Sequence, residues 1–133
     1  MILLLDASVL IPLLDAQHLS HAAAHADIRR RPATALLATC AITQLALLRY
    51  LMRFRDDLGI DRSLSLLQQV TASARHRFLA QDCEPAHGRW FGVIGHAQVT
   101  DAYLADLARA HHAKLLTADR GLAALHHDVA ELI

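Results

Sequence analysis

The sequence has no disulfide framework: its two cysteines, Cys40 and Cys83, form no paired pattern, which suits a chain kept in a reducing compartment. No apolar run approaches the roughly 20 residues needed to span a bilayer. The opening segment from Met1 to Leu14 is interrupted by Asp6 and Pro12 and has no basic stretch before it, so it reads as neither a membrane helix nor a secretory leader. Linkers, repeats and low-complexity stretches are missing too, which predicts one domain over residues 1–133. Formal net charge is zero with His neutral, so no global basic field advertises nucleic-acid binding. Lysine is nearly absent, Lys114 standing beside twelve arginines. Arginine suits bidentate phosphate contact, although a compositional bias of the genome produces the same count. The expectation is a soluble cytoplasmic protein without membrane contact.

What the chain does have is apolar content, 54% against 20% charged residues, which excludes a disordered chain. Its short apolar runs end in acids. Leu3–Asp6 reads as a first strand, followed by a short helix through Val9, Leu10, Leu13 and Leu14. Ser20 is positioned to cap a helix over Ala22–Arg31 that Pro32 stops. Thr34–Thr39 reads as a second strand, and Thr43 opens a longer helix that Gly59 ends. Asp61 or Ser63 starts the next helix, and Arg77–Ala80 reads as a third strand. A helix is expected over Pro85–Ile94, weakened by Gly88 and Gly92. An amphipathic helix follows over Thr100–His111, then a strand at Lys114–Thr117, a short helix at Gly121–Leu125 and an edge strand at Val129–Ile133. Alternating strands and helices predict an α/β/α sandwich around a four- or five-stranded parallel sheet.

Ligands of such sheets gather outside the carboxyl ends of the strands. Asp6 and Asp119 leave short apolar runs at such places and Asp101 stands where Val99-Thr100 opens a helix, so acids from both ends of the sequence can meet at one edge. Mg²⁺ or Mn²⁺ fits that chemistry, since hard cations take oxygen ligands and Mg²⁺ needs only one or two carboxylates. Asp101, read at a helix start, also gains from the positive end of the helix dipole. Each aspartate taken alone has a plainer reading, as a helix N-cap or, for Asp119-Arg120-Gly121, a turn. Asp106 lies five residues beyond Asp101, roughly 140° round the helix, and reads as a solvated surface residue.

Four segments, Leu4-Leu5-Asp6-Ala7-Ser8-Val9-Leu10, Cys40-Ala41-Ile42-Thr43-Gln44-Leu45, Gln98-Val99-Thr100-Asp101-Ala102-Tyr103-Leu104 and Leu116-Thr117-Ala118-Asp119-Arg120-Gly121-Leu122, resemble the PIN domain, in particular VapC-type toxins of bacterial toxin–antitoxin pairs. The resemblance runs from Ile2 to Ile133. It implies a Mg²⁺- or Mn²⁺-dependent endoribonuclease with metal-site acids at Asp6, Asp101 and Asp119. It further implies that Ser8 supports the first acid and that Thr43 acts as a cap or hydrogen-bond donor beside the site. A homodimer and a cognate antitoxin covering the active-site groove are implied as partners, with RNA as substrate. One position departs from the pattern. Where the family usually carries Glu, this chain has Gln44, which can accept a hydrogen bond from a coordinated water but adds no charge.

Arg49 and Arg53 share a helix face near Gln44 in sequence and are candidates for RNA-backbone contact, with solvent exposure as the commoner use. His18, His21 and His25 have helical spacing but lack further zinc ligands, so they read as surface or packing residues. Two other function classes stay open. A catalytically weak PIN-like binding protein is kept alive by Gln44. A receiver-like signalling module would need a phospho-acceptor and late Lys, for which Asp82 and Lys114 fit poorly.

Overall fold

The computed structural model describes residues 1–133. Five strands form one sheet: β1 (Ile2–Leu5), β2 (Leu36–Thr39), β3 (His76–Phe78), β4 (Lys114–Thr117) and β5 (Ala130–Leu132). All neighbours are parallel, in the order β3-β2-β1-β4-β5. The chain builds outward from β1 on one side and then crosses to lay β4 and β5 on the other. The order therefore reverses between β1 and β4, the place where an open α/β sheet leaves a crevice for a ligand.

Alternation along each strand sends successive side chains to opposite faces. Leu3, Leu5 and Leu116 pack on one face against Leu10, Leu47, Leu51 and Leu67. These come from α1 (Ala7–Leu14), α3 (Ala41–Phe54) and α4 (Gly59–Thr71). On the other face Leu4, Ala38 and Leu115 meet Leu104, Leu107 and Leu122, carried by α5 (Ala97–Ala110) and α6 (Arg120–Leu125). The apolar strands are thus covered on both faces, as a parallel sheet requires. α2 (His21–Arg30) lies against α1, where His21 Nδ1 and His25 Nε2 meet the carbonyls of Pro12 and Leu13 at 2.7 and 2.9 Å. Those two histidines serve the C-terminal carbonyls of α1, which have no partner inside their own helix.

Several boundaries differ from expectation. Gly59 opens α4 instead of ending α3, which stops at Phe54; its φ of +68° turns the chain between the two helices. No α-helix forms over Pro85–Ile94, where only a single 3₁₀ turn covers Pro85–His87. Gly92 has φ +81°, a left-handed conformation that an α-helix cannot contain. In this loop Trp90 Nε1 donates to the Pro85 carbonyl at 2.9 Å, and Phe91 is 94% exposed. α5 begins at Ala97, so Asp101 lies in its second turn and the helix-start argument for its charge weakens. Asp106 is not a free surface acid: it accepts from Arg109 Nη1 at 2.8 Å and from the Arg89 backbone.

Candidate active site

Asp6 follows the last residue of β1 and caps α1, its Oδ1 accepting from Ala7 N at 2.7 Å. Its Oδ2 accepts from Ser8 Oγ at 2.6 Å and from Thr117 Oγ1 at 2.9 Å. Each hydroxyl also receives a backbone N–H: Ser8 Oγ from Ala118, Thr117 Oγ1 from Asp119. Both hydroxyl protons are consequently directed at the carboxylate. Asp6 is 8% exposed, and three of its roughly four lone-pair sites are filled, leaving one for a further partner.

Asp119 follows β4 and caps α6, with Oδ1 accepting from Gly121 N and Leu122 N at 2.7 and 3.0 Å. Its second oxygen has no protein donor. Asp119 is therefore a helix cap and a member of the acid edge at the same time. Asp101 comes in from α5 without a hydrogen-bond partner for its carboxylate. Its pKa is pushed up to about 6, first by burial and then by the negative charges of Asp6 and Asp119. Like charges gathered at a partly desolvated place disfavour one another's ionisation. The structure thus brings Asp6, Asp101 and Asp119 within electrostatic reach at the crevice between β1 and β4.

Gln44 lies in the first turn of α3, directly after β2, and so belongs to the same carboxyl edge. Its Nε2 donates to Thr39 Oγ1 at 2.9 Å, and Thr39 Oγ1 lies 2.8 Å from His76 Nε2. Thr43 sits one residue before it, fully buried, where its hydroxyl accepts from Cys40 N at 3.1 Å and donates to Cys40 O at 3.2 Å. It closes the start of α3 and touches no acid. Thr117 and Thr39 escaped the sequence reading of the site. The available signal is a hydroxyl that directly follows aliphatic residues at the end of its strand, the end where ligands collect.

Arg49 and Arg53 lie five and nine residues beyond Gln44, roughly 140° and 180° round α3. They border shallow depressions with Tyr50 and Phe54 and with Leu45, Leu48, Met52 and Ile60. Arg53 stacks over the Phe54 ring, 5.1 Å from its centre. The structure does not gather these arginines with the acids.

The donor set at the edge is all oxygen, which fits a hard divalent cation. No three acidic, His or Cys side chains close into a ready-made cage. Mg²⁺ does not require one, since it keeps several waters and takes one or two carboxylates. Burial first, and then the charges of Asp6 and Asp119, raise Asp101, and a cation held there would offset the charge repulsion.

The fold and site define a parallel α/β/α domain with carboxylates at its topological switch point. The PIN domain family model matches residues 3–127. The chain is 46% identical over 133 residues to Ribonuclease VapC29 of Mycobacterium tuberculosis, covering 100% of this chain and 97% of that protein. Ribonuclease VapC44 of the same organism is 33% identical over 128 residues, covering 90% and 87% of the two chains. The chain belongs to the PIN domain family, in its VapC branch. Solved structures agree on the fold. Mycobacterium tuberculosis VapC20, described as a sarcin-ricin loop cleaving toxin, superposes with TM-score 0.69 at 15% identity over 92% of this chain and 94% of its own. A chain of VapBC2 from Rickettsia felis, crystallised with a promoter DNA fragment, gives 0.65 at 15% identity, covering 99% and 98%.

Proposed function

We propose that this chain is an endoribonuclease that hydrolyses RNA phosphodiester bonds with Mg²⁺ or Mn²⁺ and acts as the toxin of a toxin–antitoxin pair. The carrying observation is the convergence of Asp6 after β1, Asp119 after β4 and Asp101 from α5 at the sheet's switch point, close enough that Asp6 and Asp119 act on the Asp101 carboxyl. Full-length similarity to proteins named ribonucleases supports the reaction class. Likeness to a chain of a VapBC assembly supports an antitoxin as partner. A homodimer in the cytoplasm belongs to the same reading; no helix is long and apolar enough to cross a membrane.

Asp6 and Asp101 would hold the ion, with Asp119 completing the site or accepting a proton. A bound divalent ion supplies charge stabilisation at the phosphodiester and lowers the pKa of a nearby water. The chain's own contribution is placement. Ser8, Thr117 and the Ala7 N–H fix the Asp6 carboxylate in one orientation, so little reorganisation is needed as charge develops. Asp119, with one oxygen held by α6 and the other open, is positioned as a general base. Gln44 contributes an amide oxygen without charge.

The test is sequencing of RNA 5′ ends after brief expression of wild type and Asp6→Ala. Reproducible ends present only with wild type, and lost when divalent ions are chelated in vitro, are expected. Identical end profiles for the two proteins would overturn the ribonuclease reading.

A further inference from the structure

Thr39, Gln44 and His76 form a chain of side chains whose hydrogen-bond direction can be worked out. Thr39 ends β2 and is 0% exposed. Its hydroxyl proton therefore needs an acceptor inside the protein, because a buried donor left unpaired keeps its full desolvation cost. The Gln44 amide nitrogen can only donate, so Thr39 Oγ1 accepts there. The remaining partner is His76 Nε2, at 2.8 Å. The Thr39 proton goes to it, which makes the ring neutral with its own proton on Nδ1. Burial, which disfavours a charged His76, agrees. The order is Gln44 Nε2–H to Thr39 Oγ1–H to His76 Nε2.

With the nitrogen on Thr39, the oxygen of Gln44 is left without a protein donor, on a residue in the first turn of α3 at the carboxyl end of β2. A glutamate at position 44 would have no proton to give. Thr39 would then donate to that carboxylate, and His76 would have to reverse and donate from Nε2. An amide at 44 and a Nδ1-protonated His76 are matched to one another.

Resting on the ribonuclease reading above, we propose that Thr39 and His76 are positioning residues that hold the Gln44 amide oxygen toward the carboxylates. Gln44 is then a matched component of a neutral relay and not a decayed acid. His76 acts from 32 residues away in sequence through a single buried hydroxyl.

The experiment uses the full-length chain with ¹⁵N-labelled histidine, in which long-range proton–nitrogen spectra report the tautomer of each ring. The wild-type His76 ring should carry its proton on Nδ1, and Gln44→Glu should move a proton to Nε2. Thr39→Val should abolish the hydrogen-bonded shift of the Gln44 side-chain amide, and Thr39→Ser should keep it. In RNA cleavage Thr39→Val should lower kcat roughly ten- to hundredfold, the scale of a misplaced catalytic group, with KM within about twofold and with recovery in Thr39→Ser. A His76 tautomer unchanged by Gln44→Glu overturns the proposal, as does a Thr39→Val protein with wild-type kcat. Should wild type show no cleavage that depends on Asp6, the ribonuclease reading fails, and the tautomer exchange by itself decides whether the relay exists.

Discussion

Thr117 Oγ1 donates to Asp6 Oδ2 at 2.9 Å, joining the ends of β4 and β1 across 111 residues of sequence. The same oxygen accepts the Asp119 N–H at 3.0 Å. One fully buried hydroxyl therefore locates two members of the acid edge at once. Thr117→Val keeps the shape but leaves that N–H without its acceptor, a cost of about 1–3 kcal/mol. Denaturant unfolding should show this loss, and RNA cleavage should fall with it. Thr117→Ser should restore both. A Thr117→Val protein with wild-type stability and activity would mean that the hydroxyl does not organise the edge.

Asp101 gives the metal-free protein an unusual pH dependence. Its carboxyl is raised from 3.8 to about 6, so the folded chain keeps a proton that the unfolded chain releases between those values. Stability contributed by this group is therefore full below pH 4, declines as pH rises toward 6 and stays lower above it. Thermal melts without divalent ions should show that decline, and Asp101→Asn should remove it. At pH 7 the substitution should stabilise the metal-free chain by about 1 kcal/mol, a figure already discounted for solvent screening. Added Mg²⁺ should raise the wild-type melting temperature more at pH 7 than at pH 5, because protons compete for the same carboxylate. A flat profile in both proteins would show that Asp101 is not electrostatically frustrated.

The acids were legible because each breaks a simple pattern. Asp6 and Asp119 end aliphatic strands, and those strands declare themselves by run length alone. α5 shows its apolar period, but its first turn, Ala97 to Thr100, carries little apolar signal, so the sequence alone puts Asp101 at the helix start and the structure puts it one turn in. The helix expected over Pro85–Ile94 fails at Gly92, whose positive φ a sequence does not state. The angle of Asp106 on α5 excludes it from the acid edge and, taken alone, points to solvent. Its partner Arg109 was only three residues away, the spacing at which helical side chains meet. The Thr39–His76 contact could not be read at all. It depends on β3 lying beside β2 in the register that pairs Leu37 with His76, a tertiary fact with no local signature.

Arg109 supplies the opposite pH behaviour to Asp101 from the far end of the same helix. Its guanidinium donates to both oxygens of Asp128 at 2.8 Å and to Asp106 at 2.8 Å. The Asp128 carboxyl is held down from 3.8 to about 2, chiefly by that hydrogen bonding. Its contribution is present above pH 4 and is lost as pH falls through 3.8 toward 2. Arg109→Leu should therefore move the acid-unfolding midpoint to higher pH, with an effect from the exposed Asp128 pair of no more than about 1 kcal/mol at neutral pH. The acid edge is untouched, so activity per folded molecule should stay at the wild-type level. An unchanged acid midpoint would show that the pair is fully screened.

Arg49 and Arg53 can be tested against the placement of α3. They lie on the side of the helix away from Gln44, among Leu45, Leu48, Met52 and Ile60. A cation in contact with single-stranded RNA releases counterions and contributes about 0.7 to the slope of log K against log salt. Two such contacts would add about 1.4. The double variant Arg49→Ser with Arg53→Ser, measured with Asp6→Ala as background so that RNA is bound without being cut, should keep the parent slope across the salt series. A slope reduced by about 1.4, together with weaker binding at low salt, would place both side chains on the substrate path. RNA would then have to wrap from the carboxyl edge round α3 to its far side. An unchanged slope leaves the arginines and the apolar strip between them outside the RNA contact, and confines the substrate to the crevice where β1 and β4 end.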